Sequence, residues 1–387
     1  MTSDIELYFH IPFCVRKCYY CDFLSFPLDG AAKVQSQQMS QYMAALERET
    51  AERAAEYTGK KVVSVFIGGG TPSVVEAGQL ASLLRTVRER YLVLEDAEIT
   101  VEVNPGTVDR DKLEIYRAAG VNRLSIGLQS ADDKELAAVG RIHTWRQFLD
   151  AYEAAAAAGF TNLNVDIMSA LPGQTCESYS RTLQKVLELK PSPAHISAYS
   201  LIPEEGTVLW EQLQQGRLVL PDEDTDRELY SATKVVLEQA GYVRYEISNY
   251  ALPGFECRHN CGYWCRREYA GFGLGAASLI NNTRFKNGDS LQAYLRDPLS
   301  CREDEQLLSM EEQMEEFMFL GLRMTAGVSG EEFARCFGQS LETVYGAVIE
   351  KNKRDGLLEW RAGTPRRLAL TEKGLDLANY VMAQFLL

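Results

Sequence analysis

ELYFHIPFCVRKCYYC, residues 6–21, reads as a strand that runs straight into a cysteine loop. The strand covers Ile5–Ile11, and Cys14, Cys18 and Cys21 follow it at C-x3-C-x2-C spacing with no fourth cysteine nearby. A [4Fe–4S] cluster normally takes four thiolates. Three leave one iron open, so a cluster held here is suited to bind a small molecule against iron. A Cys3His zinc site completed by His10 is the competing reading, and three unrelated thiols the plainest one. Structural zinc sites usually come as paired knuckles, and this spacing does not pair. Zinc also gives no reason for the glycine-rich loop further on, so the cluster is favoured.

Outward from that strand, a strand–helix unit recurs every 30–40 residues or so, the length of a βα unit. Strands are predicted at Ile5–Ile11, Val62–Ile67, Ala97–Val103, Asn122–Leu128, Asn162–Met168 and His195–Leu201. Helices are predicted at Ser36–Tyr57, Ala77–Tyr91, Arg110–Ala119, Thr144–Ala158 and Cys176–Leu189, the fourth ending at Gly159, a favourable stop. The alternation implies a parallel sheet. Six units fall short of a closed eight-fold barrel, which predicts an α/β fold with a partial (β/α)6 TIM-like barrel over about residues 1–205. With an extension this core takes in residues 1–235. Residues 236–303 form a connecting segment of helix and loops that carries HNCGYW, and residues 304–387 a small α+β, winged-helix-like domain.

Barrel sites sit where the strands end. The six ends carry Tyr8, His10 and the cysteines; Gly68-Gly69-Gly70-Thr71-Pro72; Glu102 before Asn104-Pro105; Gln129; Asp166; and Tyr199. Glycines let backbone approach a ligand and present N–H groups to an anion, although a glycine turn between strand and helix is common. GGGTP lacks the Lys-Ser/Thr of a nucleotide P-loop. Glu102 and Asp166 sit in buried-looking strands and need partners: a ligand ammonium or ribose hydroxyls, or equally an internal arginine such as Arg123 or Arg141. Arg16 and Lys17 can favour thiolates or can simply be solvated.

Composition narrows the setting. The chain has 387 residues, nine cysteines and a net charge of −14. An odd cysteine count with three clustered fits a reducing compartment and metal binding. The negative charge argues against a nucleic-acid partner. The acidic, strand-like start does not read as a signal peptide, and no apolar run spans a bilayer. A cytoplasmic location is expected, with attachment to a membrane surface left open.

YFHIPFCxxxCxYC, GGGTP, VEVNP, SIGLQS, Gly140-Arg141 and NVDIMSALPGQT together resemble the radical S-adenosylmethionine (SAM) superfamily. More narrowly they resemble its oxygen-independent coproporphyrinogen oxidase-like branch, over most of the chain including the C-terminal domain. The resemblance implies that Cys14, Cys18 and Cys21 hold a [4Fe–4S] cluster and that Tyr8, Tyr20, Gly69, Gly70, Thr71, Glu102, Gln129, Arg141 and Asp166 contact SAM. The true oxidase has a further cysteine where this chain has Phe23, and an N-terminal extension before the cluster loop. Both departures are similar to a haem-chaperone type within the branch. So is HNCGYW, His259–Trp264, whose histidine the resemblance associates with haem. Imidazole is a usual axial ligand, and Tyr263 and Trp264 offer flat apolar surface; a hydrogen-bonded histidine beside packed aromatics is the plainer alternative. Cys257, Cys261 and Cys265 read as incidental thiols. The implied function is a chaperone that binds haem and passes it to recipient haemoproteins, membrane-associated ones among them, with room for a cluster-dependent dimer. The alternative is an oxidase of coproporphyrinogen III or another tetrapyrrole-modifying radical enzyme. Phe23 leaves catalysis open, and no catalytic residue is assigned.

Overall fold

The structure, a computed structural model, describes residues 4–28 and 32–387. Strands β1 (Asp4–Ile11), β2 (Lys61–Gly69), β3 (Leu92–Val103), β4 (Arg123–Gln129), β5 (Asn162–Ser169) and β6 (His195–Ser200) lie side by side in chain order, all parallel. Parallel neighbours need long crossovers. These are supplied by helices α1 (Ala32–Arg53), α2 (Ala77–Arg90), α3 (Arg110–Ala118), α4 (Asp133–Ala138), α5 (Trp145–Ala157) and α6 (Cys176–Leu187). Alanine-rich α5 begins at a reciprocal capping box between Thr144 and Gln147 and stops before Gly159, which takes φ +86°.

Each barrel strand has two chemically different faces. Leu124, Ile126 and Leu128 of β4 join the apolar core, as do Leu163, Val165 and Ile167 of β5 and Ile99, Val101 and Val103 of β3. The alternate residues are polar or small: Ser125, Gly127 and Gln129; Asn164 and Asp166; Glu98, Thr100 and Glu102. With a period of two, one face packs under the helices and the other lines the barrel interior. A barrel filled only for stability would line that interior with branched apolar residues. This one places carboxylates, amides and hydroxyls there, many of them bonded to one another.

The sheet runs on past the six predicted strands. After α7 (Val208–Gln214) and α8 (Glu223–Gln239), short strands β7 (Val243–Arg244) and β8 (Asn249–Ala251) extend the β6 edge antiparallel. Helix α9 (Arg258–Trp264) leads to β9 (Tyr269–Phe272), which pairs in parallel with β1 on the side away from β2. Strands β10 (Ala277–Ile280), β11 (Thr283–Asn287) and β12 (Arg302–Leu307) continue outward antiparallel, with α10 (Leu291–Arg296) between the last two. The order is β12-β11-β10-β9-β1-β2-β3-β4-β5-β6-β8-β7, with two open ends. Six strands thus come from the region that the sequence reads as helix and loops.

Beyond β12, α11 (Met310–Gly321), β13 (Val328–Ser329), α12 (Gly330–Phe337), α13 (Leu341–Arg354) and the hairpin β14 (Leu358–Arg361)–β15 (Arg367–Leu370) build the winged-helix-like unit. It has its own core around Met318, Leu322, Phe333, Tyr345 and Leu368.

Candidate cluster and cofactor site

The cysteine loop leaves β1 and is laced to the GGGTP loop at the end of β2. Gly70 N–H donates to the Ile11 carbonyl at 2.8 Å and Thr71 N–H to the Phe13 carbonyl at 2.7 Å. Missing side chains permit this approach. A Cβ on Gly70 would lie 2.8 Å from both of those carbonyl oxygens, and one on Gly69, at φ +106°, would lie 2.5 Å from the His10 ring. Gly69 N–H is taken as well, donating to Glu102 Oε2 at 3.0 Å. The expectation that these amides face an anion is therefore corrected. They are spent on internal bonds, and the glycines serve close packing.

Cys14, Cys18 and Cys21 line one cavity of about 130 Å³. Tyr20, Gly69, Gly70, Thr71, Glu102, Gln129, Arg141 and Asp166 line the same cavity. Eight of the nine residues read as SAM contacts thus meet the three cysteines. Tyr8 does not: its hydroxyl donates to His10 Nδ1 at 3.0 Å, and it lines a different cavity. His10 Nε2–H donates in turn to the Leu24 carbonyl at 2.7 Å, so both ring nitrogens are engaged in bracing the loop.

Polar donors reach the sulphurs. Thr71 Oγ1–H donates to Cys14 Sγ at 3.4 Å and Arg141 Nη1–H to Cys18 Sγ at 3.6 Å. Half-buried Arg141 is thus the guanidinium that touches a thiol, and its buried Nε has no partner. Arg16 donates to the Tyr19 hydroxyl and Lys17 to the Phe23 carbonyl. Burial pushes the Cys14 thiol up, and the Cys21 thiol to about 11. Metal binding therefore has to drive off protons here.

Glu102 and Asp166 line the same cavity from β3 and β5, with β4 between them. Asp166 accepts from Asn164 Nδ2 at 2.7 Å and from Ser125 Oγ at 3.1 Å. Burial raises both carboxyls; Glu102 reaches about 8, with the charge of Asp166 as the second cause. Arg123 acts on both only at a distance. Two half-buried carboxyls without a contacting cation are suited to a cationic ligand bearing hydroxyl groups. Gln129 holds its place at φ +71°, a strained value for a side-chain-bearing residue.

A second cavity of about 420 Å³ shares Tyr20, Glu102, Gln129 and Asp166 with the first, and its lining also holds Ser125, which borders both, and Asn164, Ser197, Tyr199 and Asn260. Those five were not singled out for this site by motif reading, apart from Tyr199 as the last strand end and Asn260 within HNCGYW. Ser125, Asn164 and Ser197 had a signal: a polar residue at every second position of otherwise apolar strands. Phe23 is 62% exposed and borders both cavities.

His259 differs from the expectation of an open haem contact. It is 1% exposed, with Nδ1 2.9 Å from Ser64 Oγ and Nε2 3.1 Å from the Tyr263 hydroxyl. Phe66 stacks on its ring at 5.1 Å. Burial, with Arg123 and Arg267, pushes its pKa down to about 3, which keeps it neutral. Neither ring nitrogen faces open space, and the accessible residues of the motif are Asn260, Cys261, Tyr263 and Trp264. Cys257 is buried with its thiol 3.5 Å from Glu98 Oε1, while Cys265 is exposed at the other end of α9.

Comparison with known proteins agrees with this geometry. The radical SAM superfamily pattern matches residues 8–186, and the HemN C-terminal domain pattern residues 308–377. The curated heme chaperone HemW of Lactococcus lactis is 39% identical over 381 residues, 98% of this chain and 97% of that protein. This chain belongs to the HemW family. HemW of Bacillus subtilis is 37% identical over 98% of both chains. Among solved structures, the coproporphyrinogen III oxidase HemN of Escherichia coli, described as a radical SAM enzyme, superposes with a TM-score of 0.84 at 24% identity. It covers 100% of this chain and 90% of its own, which speaks for the fold. The HemW family thus sits within the radical SAM superfamily, whose members use a [4Fe–4S] cluster and SAM.

Proposed function

We propose that this chain is a haem chaperone: it binds haem, uses a cluster and a SAM site in regulation, and delivers haem to recipient haemoproteins. The observation that carries this reading is the end-to-end relationship to proteins named heme chaperone HemW, 39% identity over 98% of the chain.

The site residues fit the group that the family brings. Cys14, Cys18 and Cys21 would hold the cluster, with Thr71 and Arg141 donating to two of the sulphurs. One iron would stay free for the methionine amino and carboxylate groups of SAM. Tyr20, Gly69, Gly70, Thr71, Glu102, Gln129, Arg141 and Asp166 line the cavity that would take SAM, and Tyr8 braces the loop through His10. When bound, the cluster supplies one electron for cleavage of the sulfonium. Glu102 and Asp166 would receive positive charge and ribose hydroxyls, which offsets the burial that raises both carboxyls and the Asp166 charge that adds to it at Glu102. Gln129 adds an amide at the same wall.

Phe23 separates this reading from oxidation of coproporphyrinogen III, the alternative that the HemN-like fold keeps open. An exposed phenyl ring borders the cavity at the position where the oxidase carries a cysteine. The chaperone works in the cytoplasm and serves haemoproteins that include membrane-bound ones. A net charge of −14 argues against broad nucleic-acid binding. No helix among the described residues is long and apolar enough to cross a membrane. Titration of the anaerobically reconstituted protein with haem, followed by Soret absorbance, should saturate at one haem per chain. No saturable binding would contradict the proposal.

A further inference from the structure

The second cavity, of about 420 Å³, falls within the range of small-molecule pockets. It lies inside the barrel and is separate from the aromatic cavity that Tyr8, Tyr263, Trp264, Tyr269 and Phe319 line. Its lining holds both Arg123 and Gln129. These stand at opposite ends of a seven-residue strand, about 20 Å apart. The cavity therefore runs along the barrel. Gln129 marks the rim, where the cysteine-lined cavity adjoins, and Arg123 marks the floor, out of reach of that first cavity.

Most polar groups along this tube are spent on one another. Asn164 Nδ2–H donates to Ser125 Oγ and to Asp166 Oδ1, each at 2.7 Å. Ser125 Oγ–H donates to Asp166 Oδ2 at 3.1 Å and Ser197 Oγ–H to Asn164 Oδ1 at 3.2 Å. His195 Nδ1–H donates to the same Asn164 oxygen at 2.6 Å.

Arg123 is the exception. It is 2% exposed, and its Nε has no partner. No carboxylate pairs with it directly among the described residues; Glu98 and Asp166 act on it through space. In register with it on the neighbouring strands, Thr100 Oγ1 and Asn162 Oδ1 are buried and unpartnered as well. Three buried polar atoms without partners thus share one layer of the barrel, where such groups are normally satisfied. An apolar side chain would be less costly to bury there than an unpaired guanidinium.

We infer that the barrel floor is a binding site for an organic carboxylate, whose two oxygens pair with the Arg123 guanidinium while its body lies along the cavity toward Met168 and Tyr199. A planar guanidinium matches a carboxylate through two parallel N–H bonds. One guanidinium balances one negative charge. A phosphate dianion would overload an interior that already holds Glu98 and Asp166. At the rim the occupant meets Tyr20, Glu102, Gln129 and Asp166, which also border the cavity assigned to SAM, so the two ligands sit end to end. The site stands on Arg123 and does not depend on haem binding.

The test uses the full chain with its cluster reconstituted anaerobically and kept oxidised, and with SAM in excess to occupy the first cavity. Isotope-labelled methionine methyl groups are followed by NMR. Met168 is 7% exposed and lines the cavity, and its signal is the one that Met168→Leu removes. Hexanoate should shift that signal saturably. Hexanamide has the same shape without the charge and should bind at least about tenfold more weakly. Arg123→Leu should lose hexanoate affinity by about tenfold or more, with cluster iron content unchanged. A Met168 signal that hexanoate leaves unmoved would overturn the site. So would equal affinity for acid and amide, or wild-type hexanoate affinity in Arg123→Leu. Displacement of hexanoate by inorganic phosphate would overturn the carboxylate class. If Arg123→Leu does not fold, the acid and amide pair in wild type still decides. The chaperone reading survives each of these results, because haem titration alone tests it.

Discussion

Gly70 has no room for a side chain, because two backbone carbonyl oxygens lie 2.8 Å from where its Cβ would be. Backbone cannot swing aside, so Gly70→Ala should cost about 2 kcal/mol or more; a chemical denaturation midpoint equal to wild type would contradict the lacing of the two loops. Glu102 gives a pH signature. Burial raises its carboxyl from 4.5 to about 8, so the folded state holds this proton more tightly than the unfolded chain does. As far as this group is concerned, stability is highest below about pH 4.5 and falls until about pH 8. Glu102→Gln should reduce that slope in the ligand-free protein, leaving the part due to Glu6, which burial also raises to about 8. An unchanged slope would mean that Glu102 is not held protonated. Replacing Cys14, Cys18 or Cys21 with Ala should abolish the reconstituted cluster, and unaltered iron content would refute the ligand assignment. Much of this residue-level picture was legible in the sequence, because the cysteines, Glu102, Gln129 and Asp166 stand at strand ends in ordered motifs. The fate of the Gly69–Thr71 amides was not legible, since their acceptors belong to other segments. The burial of His259 was not either: it depends on Ser64, 195 residues away, and on Phe66.

At the scale of elements, α9 is held by a buried carboxylate. Glu98 accepts from Arg258 N–H at 3.1 Å and His259 N–H at 3.2 Å, which satisfies the first turn of a seven-residue helix. Arg123 beside it is fully buried and draws part of its counter-charge from Glu98. Glu98→Ala would leave the two α9 amides without this acceptor, at a cost of about 1–3 kcal/mol, and should lower the thermal midpoint and haem affinity together. A fall in neither would show that α9 is anchored elsewhere. The six barrel strands could be read ahead of the structure because strand-like stretches alternate with helical ones at the spacing of a βα unit. Strand β9 could not. Tyr269–Phe272 is four residues with a glycine inside, too short for periodicity to register, and its partner β1 lies some 260 residues earlier in the chain. Strands β7 and β8 are shorter still.

Over the whole molecule, the sheet joins two chambers through Tyr8. Its ring lines the aromatic cavity, while its hydroxyl holds His10, which braces the cysteine loop and packs on Gly69. The cysteine loop and the aromatic cavity thus meet at one strand. The C-terminal unit closes the aromatic cavity with Phe319 and Glu316 of α11. Its helix–hairpin pattern was readable from Thr371 and the two short strands before it, but its place against α9 was not, because side chains from distant segments set it. The most direct measurement is a parallel assay on one anaerobically reconstituted preparation: haem bound per chain, and protoporphyrinogen formed from coproporphyrinogen III with SAM and reductant. The account predicts one haem per chain and no protoporphyrinogen. Formation of protoporphyrinogen without haem binding would contradict it.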